Sequence, residues 1–288
     1  MMEARSGTTA DVGVASAAPA LALDRITCTF AARTVAKGDE SATYTAVRDA
    51  TVHIGGGEFV SVVGPTGCGK STLLNVAAGL LAPSAGAVTV FGKRLEGLNR
   101  SAGYMFQADA LMPWRSALAN VTAGLEFRGT RGDLAEVKGR EWLARVGLAG
   151  FEHRYPHQLS GGMKKRVALA QMLILDPQIL LMDEPFSALD VQTRQMMENE
   201  LLELWNADRK SVLFITHDLE EAIALSDRVV VLSAGPATHP IGEFAIDLPR
   251  PRDVADIRMT PRFVELHGAI WHQMKAEVLK GYAQSRQA

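Results

Sequence analysis

The segment Gly64-Pro65-Thr66-Gly67-Cys68-Gly69-Lys70-Ser71 has the spacing G-x-x-x-x-G-K-[ST]. Its glycines let backbone N–H groups turn toward an anion without a Cβ clash. The apolar run Phe59–Val63 before it reads as a strand, and Leu73–Leu80 after it reads as a helix. The loop therefore sits at a helix N-terminus, whose partial positive charge favours phosphate. There Lys70 would reach the β- and γ-phosphates of a nucleotide and the Ser71 hydroxyl would hold Mg²⁺. With Thr72, these residues form a candidate nucleotide-binding set. By chance the pattern arises in roughly one chain per hundred of this length, and the strand and helix flanks lower that further. Cys68 lies inside the loop, so the helix terminus is expected to lower its thiol pKa and raise its reactivity.

A second group follows the continuously apolar run Ile179-Leu180-Leu181-Met182, where Asp183 and Glu184 stand side by side. A carboxylate at the carboxyl end of a buried parallel strand faces the crevice where such sheets bind ligands. Asp183 is then placed for Mg²⁺, and Glu184 for taking a proton from an attacking water. On their own, two such carboxylates read more simply as solvated loop residues; the phosphate loop in the same chain favours the metal site. A third group, Leu159-Ser160-Gly161-Gly162-Met163, precedes the helical run Lys164–Leu175. Ser160 reads as an N-cap, and the paired glycines expose N–H groups, giving a second anion-binding helix start.

Strand-like and helical segments alternate around these groups, which implies an α/β fold with a largely parallel sheet. The clearest strands are Glu58–Val63, Ala87–Phe91, Gln178–Met182, Ser211–Ile215 and Arg228–Leu232. Residues 108–176 carry helical patterns without a convincing strand and read as an inserted helical subdomain. The Pro-rich Leu248-Pro249-Arg250-Pro251-Arg252 separates the body from a helical segment near Pro261–Lys280. The 288 residues have a formal net charge of −2, so no global positive field draws nucleic acid, and no nucleic-acid partner is expected. The two cysteines, Cys28 and Cys68, exclude a disulfide framework and favour a reducing compartment. No run approaches the roughly 20 apolar residues of a membrane span, so a membrane-spanning partner would be a separate chain. The Ala-rich Val12–Leu23 is too weakly apolar for a secretion signal, and residues 1–20 read as a disordered tail.

Taken in order, the phosphate loop, Gln107, Leu159-Ser160-Gly161-Gly162-Met163, Asp183-Glu184, Ser187-Ala188-Leu189-Asp190 and His217 resemble the nucleotide-binding domain of ABC transporters over about residues 21–235. The resemblance implies a P-loop NTPase (RecA-like) core with an antiparallel β subdomain, an inserted α-helical signature subdomain, and a mostly helical extension over 236–288. It implies ATP and Mg²⁺ as ligands and an ATP-dependent homodimer packed head to tail. Each ATP would be held between the phosphate loop of one copy and Ser160, Gly161 and Gly162 of the other. The resemblance gives Gln107 to Mg²⁺ and the attacking water, His217 to the γ-phosphate, and Asp190 to the loop joining the two sites. Asp190 also reads as the N-cap of a helix Val191–Trp205. An aromatic that stacks on adenine falls on Phe30, with Tyr44 as rival because about eleven residues are inserted between them.

Leu111-Met112-Pro113-Trp114-Arg115, Ile246-Asp247-Leu248-Pro249-Arg250-Pro251-Arg252 and Trp271 resemble the nitrate/sulfonate/taurine-type importers. That implies two copies of this chain, peripheral on the cytoplasmic face of a bacterial inner membrane, bound to two transmembrane permease subunits that are served by a periplasmic or extracellular substrate-binding protein. The implied solute is a small anion; similar importers also handle thiamine-precursor pyrimidines. A soluble non-transport ABC ATPase is the other class. Its repair and chromosome-organising members insert a coiled coil that the spacing from Lys70 to Ser160 leaves no room for, and its translation factors carry two cassettes per chain.

Overall fold

The computed structural model describes residues 18–31 and 43–285. Most of the expected N-terminal tail and most of the insertion after Phe30 lie outside these residues. The largest sheet has six strands in the order β10-β9-β3-β8-β7-β6. These are β3 (Phe59–Val63), β6 (Ala102–Met105), β7 (Ile179–Asp183), β8 (Ser211–Ile215), β9 (Arg228–Leu232) and β10 (Pro240–Ala245). Five run parallel, and β10 closes the edge antiparallel to β9. Because strand side chains alternate between faces, each continuous apolar run feeds two cores. Leu180, Met182, Val212 and Phe214 face one; Ile179, Leu181, Leu213 and Ile215 face the other.

On the first face pack α5 (Val191–Ala207), α6 (Leu219–Leu225) and α8 (Pro261–Ser285). Trp205 of α5 meets Phe59 edge-on at 5.6 Å between ring centroids, a favoured aromatic geometry. On the second face lie α1 (Lys70–Ala77) and a four-stranded antiparallel sheet ordered β2-β1-β4-β5. Its strands are β1 (Leu21–Ala31), β2 (Thr43–Ile54), β4 (Ala85–Val90) and β5 (Lys93–Arg94). The insertion forms α2 (Ala117–Phe127), α3 (Gly132–Arg145) and α4 (Gly161–Leu173) around a separate core of Leu118, Val121, Leu143, Val146, Leu159 and Val167. α2 and α3 pack so closely that a Cβ on Gly139 would lie 2.6 Å from Thr122.

Three expectations about segment ends differ from the structure. Ala20, assigned to the disordered tail, is buried, and its carbonyl accepts from the Phe91 N–H at 3.0 Å. The boundary expected at residue 235 falls inside the β9–β10 hairpin of the main sheet. The Pro-rich stretch is pinned to the body, because the buried Arg252 guanidinium donates to the carbonyls of Ile223, Ala224 and Ser226 at the end of α6. Burial pushes that guanidinium down to about 10. In α8, Phe263, Leu266, Ile270 and Met274 fall on one helical face and enter the first core. Among the described residues no helix is long and apolar enough to cross a membrane.

Candidate nucleotide and metal site

The carboxyl ends of β3, β6, β7 and β8 converge on one edge of the sheet. Gly64–Gly69 leaves β3 there and turns into α1. Gly67 and Gly69 have φ of 74° and 113°, a left-handed backbone that L side chains adopt only with strain. Val47 Cγ2 of β2 would lie 3.1 Å from a Cβ at Gly69, so the second sheet walls the loop. Pro65 and Cys68 are buried, whereas Thr66 and Gly67 are exposed at the turn; Thr72 is half-buried on the first turn of α1. The buried Lys70 ammonium donates to the carbonyls of Gly64 at 2.9 Å and Pro65 at 3.1 Å, closing the loop on itself.

The Ser71 hydroxyl donates to Asp183 Oδ1 at 3.0 Å, joining the start of α1 to the end of β7. Burial raises the Asp183 carboxyl, and the neighbouring Glu184 adds to this; the Ser71 hydrogen bond and Lys70 oppose it. A hydroxyl and a carboxylate are hard oxygen donors at one point, with further positions left to phosphate and water. That donor set fits Mg²⁺.

Glu184 stands at φ 43°, which a non-glycine residue adopts rarely. Its N–H donates to the Ile215 carbonyl at 2.8 Å, fixing the turn against β8. Its Oε2 accepts from Gln107 Nε2 at 3.3 Å and lies 3.0 Å from His217 Nδ1. Gln107 follows β6 and His217 follows β8, so three neighbouring strands each deliver one side chain to this cluster.

Ser160, Gly161 and Gly162 open α4, where Ser160 Oγ accepts from the Met163 N–H at 3.3 Å. Ser160 and Gly161 are exposed. A Cβ on Gly161 would meet Leu189 at 3.8 Å, and one on Gly162 would meet Thr193 at 2.7 Å. The signature thus lies against the chain's own Leu189–Thr193 segment. Asp190 caps α5, accepting from the Thr193 N–H at 3.0 Å, and this bond holds its carboxyl below the usual range. Phe30 and Tyr44 are direct cross-strand partners on β1 and β2, and both are exposed. The two rivals for the base are therefore one aromatic patch.

The structure also brings in residues that sequence reasoning passed over. The buried Lys165 of α4 donates to the Gln107 carbonyl at 2.7 Å and lies 3.2 Å from Asp109, tying the Gln107 loop to the signature helix. Arg194 of α5 donates to Asp218 Oδ2 and to the Leu189 carbonyl, each at 3.1 Å. It braces the residue after His217 against the loop that carries Asp190.

Cys68 overturns the expectation of a reactive thiol. It is buried, and burial raises its pKa more than the nearby Lys70 charge lowers it. Thiolate is the reacting form, so each unit of rise slows reaction about tenfold at neutral pH. N-ethylmaleimide should therefore label the native chain at pH 7 more slowly than the urea-unfolded chain, with or without ATP. Native labelling as fast as unfolded labelling would restore the reactive-thiol reading.

Comparison with known proteins gives consistent results. A model of the ABC transporter family matches residues 47–187. An uncharacterized ABC transporter ATP-binding protein of Methanocaldococcus jannaschii is 50% identical over 225 residues, 77% of this chain and 82% of that protein. The taurine import ATP-binding protein TauB of Burkholderia pseudomallei is 42% identical over 237 residues, covering 81% and 91% of the two chains. Among solved structures, a dimeric ATP-binding cassette in a post-hydrolysis state with ADP and Pi superposes with a TM-score of 0.68 at 30% identity. It covers 80% of this chain and 100% of that one.

Proposed function

This chain belongs to the ABC transporter family as an ATP-binding, ATP-hydrolysing subunit, and from that premise we propose that it powers import of a small organic or inorganic anion through separate permease subunits. The taurine-import relatives support the solute class. One observation carries the working unit: Ser160 and Gly161 are exposed beside Leu189, while Gln107, Glu184 and His217 gather at the phosphate loop of the same chain. A second copy packed head to tail would bring its Ser160–Gly162 helix start onto the γ-phosphate held here.

In this reading the loop N–H groups and Lys70 hold the β- and γ-phosphates. Phe30 and Tyr44 offer the base a stacking face. Ser71, Asp183 and the Gln107 amide oxygen would hold Mg²⁺, which neutralises phosphate charge when bound. Glu184 accepts a proton from the water that attacks the γ-phosphorus in line with the departing ADP oxygen. His217 donates to the γ-phosphate as charge shifts to the leaving group. Hydrolysis removes the group shared by the two copies, and the dimer opens.

The opening would reach a permease through the Gln107 loop. A groove of about 270 Å³ lined by Tyr104, Phe106, Met112, Phe127 and Gln171 adjoins that loop. The exposed Phe127 in its lining, with the exposed Trp114 two residues after Met112, would offer surface for a permease helix at the cytoplasmic face of the membrane.

The test is reconstitution of the chain with its permease and binding protein in vesicles, with ATP supplied on the side of this subunit. Taurine, nitrate and a hydroxymethylpyrimidine are compared. Solute-stimulated ATPase and uptake with taurine or nitrate is the expected result. Stimulation by the pyrimidine alone would overturn the anion assignment, and hydrolysis indifferent to permease would overturn the import role.

A further inference from the structure

We infer that the C-terminal helix α8 positions the phosphate loop, with Glu277 as the positioning residue. The inference rests on reading Gly64–Ser71 as the ATP phosphate site. Glu277 is nine-tenths buried near the end of α8. Its Oε2 accepts from the Ala234 N–H at 2.8 Å, and Lys280 donates to its other oxygen. Burial pushes this carboxyl up, yet the Lys280 and Ala234 hydrogen bonds hold it below its ordinary range. The side chain is therefore an ionised acceptor, bound to backbone.

Ala234 begins the turn between β9 and β10, and the next residue lies on the phosphate loop. A Cβ on Gly235 would sit 3.5 Å from Cys68 Cα and 3.7 Å from the Gly67 carbonyl oxygen. α8 also reaches the loop directly, because a Cβ on Gly281 would come within 3.3 Å of Pro65 Cβ. One turn before Glu277, Gln273 donates to the Ile241 carbonyl of β10. The far end of the helix is set in the first core by Phe263, Leu266 and Ile270.

These contacts matter because the loop is glycine-rich and intrinsically loose, while phosphate binding needs its N–H groups to converge within a fraction of an ångström. Val47 and Leu232 wall it at Gly69 and Gly64. At Pro65, Gly67 and Cys68 the neighbouring groups are α8 and the turn that Glu277 holds. Without Glu277, the Ala234 N–H loses its acceptor, and the Ala234–Gly235 side of the turn loosens while Ala237 and Thr238 still donate to Thr45 and Ala46 of β2. The cost should appear in nucleotide affinity and not in the hydrolytic step, since Gln107, Glu184 and His217 follow β6, β7 and β8, away from this turn in the chain.

The experiment compares Glu277→Ala, Glu277→Gln, Gly281→Leu and Lys70→Ala in the full chain. Each is assayed for Kd of a fluorescent ATP analogue, for KM and kcat with ATP, and for thermal midpoint. Glu277→Ala should raise Kd and KM about tenfold with kcat changed less than about twofold. Glu277→Gln, which keeps an oxygen acceptor, should stay within about threefold of the parent. Gly281→Leu presses on Pro65 while favouring the helix, so its Kd should rise without a lower midpoint. A Glu277→Ala variant that melts earlier but binds ATP like the parent would overturn the inference and leave α8 a stabilising element only. If Glu277→Ala does not fold, Gly281→Leu decides: an unchanged Kd overturns the inference. Loss of binding in Lys70→Ala beside unaltered Glu277→Ala would sink the strut but keep the phosphate site. Normal binding in Lys70→Ala would sink the phosphate-site reading itself.

Discussion

Glu184→Gln should lower ATP turnover by about 10²–10⁴-fold, the usual cost of losing a positioned general base, while ATP binding survives. The amide keeps the size of the side chain and one acceptor near Gln107 Nε2 and His217 Nδ1. It cannot take a proton from water. Lys70, Ser71 and Asp183, the residues proposed to hold the phosphates and Mg²⁺, remain. With two sites filled and not emptied, the variant should accumulate as a dimer, while the parent continually clears that state. Size-exclusion chromatography in Mg²⁺–ATP, parent against variant, reads this directly. A second substitution, Ser160→Arg, puts bulk and charge at an exposed helix start and should return the variant to monomer without abolishing ATP binding. A dimer that survives Ser160→Arg would contradict the role proposed for Ser160 across the dimer.

Lys70→Ala should be as severe by a different route. The ammonium is buried and closes the loop onto the carbonyls of Gly64 and Pro65. Its removal takes away a brace of the loop and, in the proposed reading, the positive charge that meets the phosphates. Loss of a single preorganised charge partner of this kind costs about 10²–10³-fold in rate, so kcat/KM should fall by at least that. ATP affinity should fall with it, which separates this variant from Glu184→Gln. Arg is not expected to rescue, since a planar guanidinium does not fit where a compact ammonium sits in a buried turn. Turnover within about twofold of the parent, in a chain whose circular dichroism is unchanged, would remove Lys70 from the mechanism.

What could be read from the sequence follows from the range of the forces involved. The phosphate loop is a local device, so eight consecutive residues carried it. Strands β3, β7, β8 and β9 were legible because burial on both faces demands unbroken apolar runs. β10 was not, since Pro240 and Gly242 weaken a strand that exists only as an edge partner of β9. The short β6, Ala102–Met105, owes its place to β7 on one side. Phe30 and Tyr44 looked like alternatives because nothing local states that β1 and β2 pair them. Lys165, Arg194 and Glu277 carry no local signal, because their partners Gln107, Asp218 and Ala234 lie 58, 24 and 43 positions away. The helix-terminus argument for Cys68 was sound as a local statement and lost to burial, a property of the whole packed turn.

The left-handed backbone at Glu184 sets a limit on how this protein can be improved. An L residue with a Cβ in that conformation costs about 1–2 kcal/mol, and Gly or Asn would relieve much of it. A sequence chosen for thermal robustness alone would therefore replace the residue proposed to accept the proton. Directed evolution under heat selection, without a demand for turnover, would drift toward a tougher and inert cassette at this one position. On the proposed role of Glu184, the strain marks where selection for work has overruled selection for endurance.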